Sequence, residues 1–321
     1  MRNRAFSALI LALALSLPAF AAESNYPARP VRMIVPFAPG GTFDLVARIV
    51  SAKLTKMWGE QIVVDNRPGG ATILATEMAA QANPDGYTLY LSPNALAANP
   101  SLHKHLPYNA KRDFRPVTLL AAQPMALGAS NEFKANGIKD LIAMAKAAPG
   151  FLSYGCAGIG SGGWLAGEIF KSMAKINIVA VGYKGGNLAM ADVLSNQIPL
   201  VFTGLPNLLP LERAGKLKIL AITDSKRSPV AKEIPTIAET VPGYEFRNWF
   251  GVVVPTGTPV AVQRKLSHDL NAVLADATIR NSLLQRGFDV IGGTSQAFAQ
   301  QIERDTLRFA AVIKGTEIAQ N

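Results

Sequence analysis

VRMIVPFAPGGTFDLVARIVSAKL, residues 31–54, reads as a complete strand–loop–helix unit. Residues 31–36 form an apolar run of strand length. From residue 43 to 54 the apolar positions Leu45, Val46, Ile49, Val50 and Leu54 recur at helical spacing and share a face. Between them lie Phe37, Ala38, Pro39, Gly40 and Gly41. The two glycines carry no Cβ, so the chain can turn sharply and leave its backbone N–H groups open to close approach. Thr42 is read as the helix N-cap, its hydroxyl satisfying a first-turn N–H or turning outward. A glycine turn leading from a strand into a helix is an anion site, because the first-turn N–H groups lack partners and the helix dipole is positive there. One such end contributes only about 0.3–1 kcal/mol when exposed. Asp44 is assigned first to capping those N–H groups, with an amine or water as its alternative partner.

The same rhythm continues outward. Residues 61–65 (QIVVD) predict a second strand, 71–81 a helix closed by the turn Asn83-Pro84-Asp85-Gly86, and 87–91 (YTLYL) a third strand. This βαβαβ run is the unit of a parallel sheet. Extended residues 117–129 then lead into a second α/β series. Its strands fall near 152–156, 176–181, 200–203 and 217–223, and its helices near 138–148, 164–174, 188–195 and 208–214. Residues 249–254 return to strand character, followed by helices over 259–275, 277–286 and 295–313. The fold class is therefore α/β with two lobes, each a mostly parallel sheet flanked by helices, joined by two crossover strands. Residues 22–122 and 249–321 are expected to form lobe one, and residues 123–248 lobe two.

A second glycine loop, Gly158-Ile159-Gly160-Ser161-Gly162-Gly163-Trp164, also follows a strand and opens a helix. Gly158, Gly160 and Gly163 have the dinucleotide spacing, yet that fingerprint needs an acidic residue about 20 positions on, to hold the ribose. The next strand ends in Val181-Gly182-Tyr183-Lys184, without an acid. The loop is read as a second anion-binding helix start, with Ser161 as a hydroxyl donor. Tyr183 and Lys184, followed by two glycines at the end of a strand, make a third candidate.

Catalytic patterns are missing. Position 159 breaks Gly-x-Ser-x-Gly, and the three histidines show no metal-ligand spacing. Asp65, Asp85 and Asp113 sit beside turn residues and are read as turn caps. Cys156, the only cysteine, is expected to be a buried structural thiol. No enzyme, cofactor or metal is expected.

The first residues run from a basic Met-Arg-Asn-Arg through an apolar stretch to Ala19-Phe20-Ala21. This is the order of a secretory signal peptide, residues 1–21, with cleavage near Ala21. The apolar stretch is too short for a membrane span, which needs about 20 residues. Of the formal net charge of +10, Arg2 and Arg4 leave with the signal. The remaining Lys and Arg are scattered singly, which fits neither nucleic-acid binding nor membrane insertion and suits a surface that gathers anionic solutes or one that serves solubility alone.

Seven collinear segments carry a resemblance: VPFAPGGTFDLVAR (35–48), VVDNRPGG (63–70), ANPDGYTLYL (82–91), NPSLHKHLPYNAKRDFRPV (99–117), AGIGSGGWLAGEIFK (157–171), VGYKGG (181–186) and PTGTP (255–259). Together they resemble the Bug family, periplasmic substrate-binding proteins of tripartite tricarboxylate transporters. The resemblance implies a Venus-flytrap fold and capture of a small carboxylate by backbone and hydroxyl groups of the two glycine loops. It implies that Ser92, Asn94 and Thr203 line the same cleft, and that a monomeric receptor delivers its solute to membrane permease subunits. A sensory co-receptor would share this fold and cleft, and an exported hydrolase is the remaining alternative. One departure stands out. Trp164 occupies the position where the family usually has His, and it is expected to reshape the cleft.

Overall fold

The computed structural model describes residues 26–314; the predicted signal peptide lies outside them. The opening unit forms as read, with β1 (Val31–Val35) leading into α1 (Thr42–Trp58). The buried stripe of α1 is Phe43, Val46, Ala47, Val50 and Leu54. Each such Val or Leu contributes about 1.5–3 kcal/mol by leaving water. Gly59 ends the helix at φ 71°, donating its N–H to the Thr55 carbonyl, a left-handed cap that glycine takes without steric cost.

Next come β2 (Ile62–Asn66), α2 (Ile73–Ala80), β3 (Thr88–Ser92), α3 (Ala95–Leu102) and the 16-residue β4 (Phe114–Ala129). The second series is α4 (Ile138–Ala147), β5 (Ser153–Cys156), α5 (Gly162–Ala174), β6 (Val179–Gly182), α6 (Gly186–Leu194), β7 (Leu200–Gly204), α7 (Leu205–Arg213) and β8 (Lys218–Ile222). The chain closes with β9 (Arg247–Pro255), α8 (Val260–Ala275), α9 (Ala277–Leu284), β10 (Asp289–Val290) and α10 (Ser295–Lys314).

The strands run β2-β1-β3-β9-β4-β7-β5-β6, with β8 and β10 also paired to β4. The β1–β2 and β1–β3 pairs are parallel, as are β5–β6 and β5–β7. β4 joins the two halves. From Phe114 to Pro124 it pairs antiparallel with β9, and from Met125 to Ala129 with β7 and β8. Two helix-flanked sheets thus make a two-lobed α/β fold. At the junction Gln123 of β4 stands opposite Asn248 of β9.

The lobes also share apolar packing. Phe309 and Ile313 of α10 and Leu102 of α3 join the core built by Tyr154, Phe170 and Phe202. Near its other end α10 puts Phe298 against Trp249 in the core of the first sheet.

One local reading changes. The predicted helix over 71–81 begins only at Ile73, because Ala71 (φ 52°) and Thr72 (φ 70°) are left-handed. Asn99 holds that turn by donating to the Ala71 carbonyl at 3.2 Å, and the Thr76 hydroxyl donates to the Thr72 carbonyl at 2.8 Å. The stretch around Asn99-Pro100 is helical despite its proline; buried Leu96 and Leu102 anchor it.

Candidate functional site

Four helices start around one interlobe cavity. Gly41 precedes α1, Ser161 precedes α5, Gly185 precedes α6 and Gly204 precedes α7. All four residues line a cavity of about 410 Å³, part of it open to solvent. Each start places unpaired N–H groups and the positive end of a helix dipole toward the same space. The remaining walls are apolar (Phe37, Phe43, Met125, Phe202) or neutral and polar (Thr42, Thr203, Asn207, Asn248). Among the described residues no charged side chain lines it. Such a surface solvates an anion through neutral donors and offers an ammonium group no counter-charge.

The glycines allow this convergence through space as well as conformation. A Cβ on Gly163 would lie 2.2 Å from the Phe202 carbonyl oxygen, and one on Gly186 2.3 Å from the Thr203 hydroxyl. The α5 and α6 starts can press against the end of β7 only without side chains.

The predicted residues separate by position. Phe37, Gly41, Thr42, Ser161, Gly162 and Thr203 line the central cavity. Gly158, Ile159, Tyr183 and Lys184 line an adjoining one of about 710 Å³, also part-open, whose opposite wall is residues 69–72. Phe37 and Ala157 border both. Ala38 and Pro39 instead touch the other lobe by their backbone. The Ala38 N–H donates to the Lys184 carbonyl at 3.2 Å, and the Asn187 amide donates to the Pro39 carbonyl at 3.2 Å. Gly40 turns the chain at φ 83°. Gly160, at φ 76°, would bring a Cβ within 2.8 Å of Asn99 Oδ1.

Three further predicted residues point elsewhere. Ser92 and Asn94 are fully buried and their polar groups are spent on β9. The Ser92 hydroxyl donates to the Gly251 carbonyl at 3.2 Å, and Asn94 accepts from the Trp249 N–H at 3.1 Å while donating to the Arg247 carbonyl at 3.3 Å. Trp164 does not reshape the cleft as expected. It is 3% exposed and packs in the core of the second sheet with Phe170 and Phe202.

Three side-chain roles are also revised. Gly41, not Thr42, is the N-cap of α1, and the Thr42 hydroxyl accepts from Gln123 Nε2 at 3.1 Å. Ser161, read as a hydroxyl donor, also caps α5, accepting from the Trp164 N–H at 3.3 Å. Asp44 faces away from the cavity, accepting the Gly40 N–H at 3.0 Å and pairing with Arg48 at 2.9 Å. Burial alone would raise its pKa, but the bonds from Arg48 and Gly40 hold it below the usual carboxylate value. Asp65 is an ion-pair acceptor for Arg32 and Arg67 rather than a turn cap, whereas Asp85 and Asp113 accept turn N–H groups as read.

Burial pushes the Cys156 thiol up to about 12, so it stays protonated, as a structural thiol should. Among the described residues no group of three His, Cys, Asp or Glu is placed to hold a metal, and no helix is long and apolar enough to cross a membrane.

Gly185 and Gly186, the two glycines of the third candidate, line the central cavity; Gly204, Asn207 and Asn248 were not singled out from the sequence as lining residues. The Gly204-Leu205-Pro206 segment carried a signal, since proline favours the first turn of a helix. Asn207 and Asn248 carried none, because only the folded chain brings them to the cavity.

The fold and this interlobe cavity define a two-lobed binding protein. The family described as "Tripartite tricarboxylate transporter family receptor" matches residues 46–318, and the chain belongs to that family of periplasmic substrate-binding proteins, which are not enzymes. Protein BugT of Bordetella pertussis is 32% identical over 295 residues, covering 91% of this chain and 90% of BugT. The Bug resemblance read from the motifs therefore holds. A solved structure of R. palustris Rpa4515 with adipate matches with TM-score 0.87 at 34% identity, covering 90% of this chain and 98% of that one. MatC from Rhodopseudomonas palustris, with bound malate, matches with TM-score 0.86 at 29% identity, covering 90% of this chain and 100% of that one.

Proposed function

We propose that the chain is exported by a signal peptide cleaved near Ala21, and that its mature part captures a small carboxylate in the interlobe cavity. It then delivers that solute, as a monomer, to the membrane permease subunits of a tripartite tricarboxylate transporter. Residues 22–122 and 249–321 act as one lobe and residues 123–248 as the other; the pairing of Gln123 with Asn248, beside the point where β4 passes from β9 to β7, supports this division.

The observation that carries the reading is the meeting of four helix N-termini at a cavity with no charged side chain in its wall. Micromolar affinity needs about −8.2 kcal/mol. One exposed helix end falls far short of that. Four partly buried ends, each worth up to about 2 kcal/mol, together with hydrogen bonds to a charged group at about 1.5–3 kcal/mol each, supply that magnitude. The adipate and malate held by Rpa4515 and MatC support a ligand of the same class.

A thermal-shift screen of the purified mature chain against mono-, di- and tricarboxylates and amino acids tests this. Selective binding to the folded state must raise the melting temperature. Dicarboxylates of four to six carbons are expected to give the largest shift. A panel in which no carboxylate shifts the melting temperature would overturn the reading.

A further inference from the structure

Asn248 sits on β9, the strand that carries the chain from the second lobe back to the first, directly opposite Gln123 of β4. Its side chain lines the central cavity and the residue is only 3% exposed. Within the described residues its amide makes no hydrogen bond, and its Oδ1 is buried without a partner. A carboxylate only accepts and cannot pair that oxygen; the NH2 group, which also has no partner among the described residues, is the part of the amide free to donate.

The surroundings show which end of the amide faces the cavity. A Cβ on Gly162 would stand 2.4 Å from Asn248 Oδ1, so the missing side chain lets the amide oxygen lie over the first turn of α5. That turn is the positive end of a 13-residue helix, which favours oxygen there and turns the NH2 group toward the cavity. Gln123, fully buried beside it, is turned the other way: its NH2 group lies against Gly204 and donates to the Thr42 hydroxyl, while its Oε1 has no partner.

We infer that Asn248 is a ligand-contacting, specificity-determining residue, whose amide donates to the carboxylate held at the start of α5. This rests on the carboxylate reading of the cavity. It adds a donor that belongs to neither glycine loop and sits on the crossover strand, so the bound carboxylate ties that strand to the second lobe. The neutral amide supplies a hydrogen bond without the fixed charge of a lysine or arginine. A carboxylate at the same position would repel the ligand directly.

The test uses the mature chain, titrated calorimetrically with L-malate and with adipate. Asn248→Asp keeps the shape and adds a negative charge. Asn248→Leu keeps the approximate volume and removes the donor. Asn248→Ser, small and uncharged, serves if either of the others does not fold. The expected result is at least 100-fold weaker binding for N248D and about tenfold weaker for N248L or N248S, with ligand-free melting temperatures close to the parent's. Binding of all folded variants within twofold of the parent overturns the inference while leaving the carboxylate reading intact. A parent that binds neither acid removes both.

Discussion

The Ala38 N–H donates to the Lys184 carbonyl across the cleft, at 3.2 Å. The loop after β1 thus meets the loop after β6 through backbone alone, and the Asn187 amide adds a side-chain bond to the Pro39 carbonyl. This second bond is the one that substitution can remove. At about 0.5–1.5 kcal/mol, its loss in Asn187→Ala should speed dissociation of a bound carboxylate roughly threefold to tenfold. Stopped-flow displacement would show this, and an unchanged rate would mean that the contact plays no part in closure.

Two adjacent glycines should behave differently. A methyl at Gly162 meets the Asn248 side chain, which can swing aside, whereas a methyl at Gly163 meets the Phe202 backbone carbonyl at 2.2 Å, which cannot. Gly162→Ala is expected to fold and lose binding at least tenfold. Gly163→Ala is expected to lose about 1–3 kcal/mol of stability, in the range of overpacked cores. Urea denaturation and titration of both variants separate the two effects.

Gly41→Val is the cleaner probe of the first loop. Gly41 has φ −82°, which any residue adopts, and the nearest atom to a Cβ there is 3.7 Å away. The branched side chain would enter the cavity, so binding should fall at least 30-fold with the melting temperature within about 3 °C of the parent's. Gly160→Val does not serve the same purpose. Its φ of 76° and the nearby Asn99 oxygen would strain the loop itself.

Asp224, after β8, is packed against Arg247 of β9, which also pairs with Asp289 of β10. Burial raises the Asp224 carboxyl from 3.8 to about 6, against the pull of Arg247 and with a small push from Glu245. The folded protein therefore holds this proton more tightly than the unfolded chain does. The stability contributed is complete below pH 4 and is lost as pH rises through 6. Between pH 7 and pH 5 the gain is about 1 kcal/mol. The melting temperature of the parent should thus rise by about 2 °C more than that of Asp224→Asn over this interval.

How much of this was legible depends on where the cause lies. The strand–glycine–helix units at residues 31–54 and 152–174 carry their own signals, since apolar period and turn chemistry are local. Gly185 and Gly204 were partly legible, as glycines following strands. Asp44 was misassigned among its near neighbours, its partners Gly40 and Arg48 lying four residues to either side. Thr42 and Trp164 were misassigned because their surroundings come from distant segments: Gln123 reaches Thr42 from β4, and Phe202 of β7 belongs to the core that takes in Trp164. Asn248 was invisible for the same reason, being an ordinary polar residue until β9 sets it over Gly162.

The central claim is that neutral donors at four helix starts hold a negatively charged group. Titration calorimetry of the mature chain with L-malate and adipate, each beside its uncharged diamide, tests it most directly. The diamides keep the carbon chain and lose only the charge. The account predicts micromolar binding of at least one diacid, with its diamide weaker by at least 100-fold. Equal binding of a diacid and its diamide would show that shape rather than charge is recognised, and would contradict it.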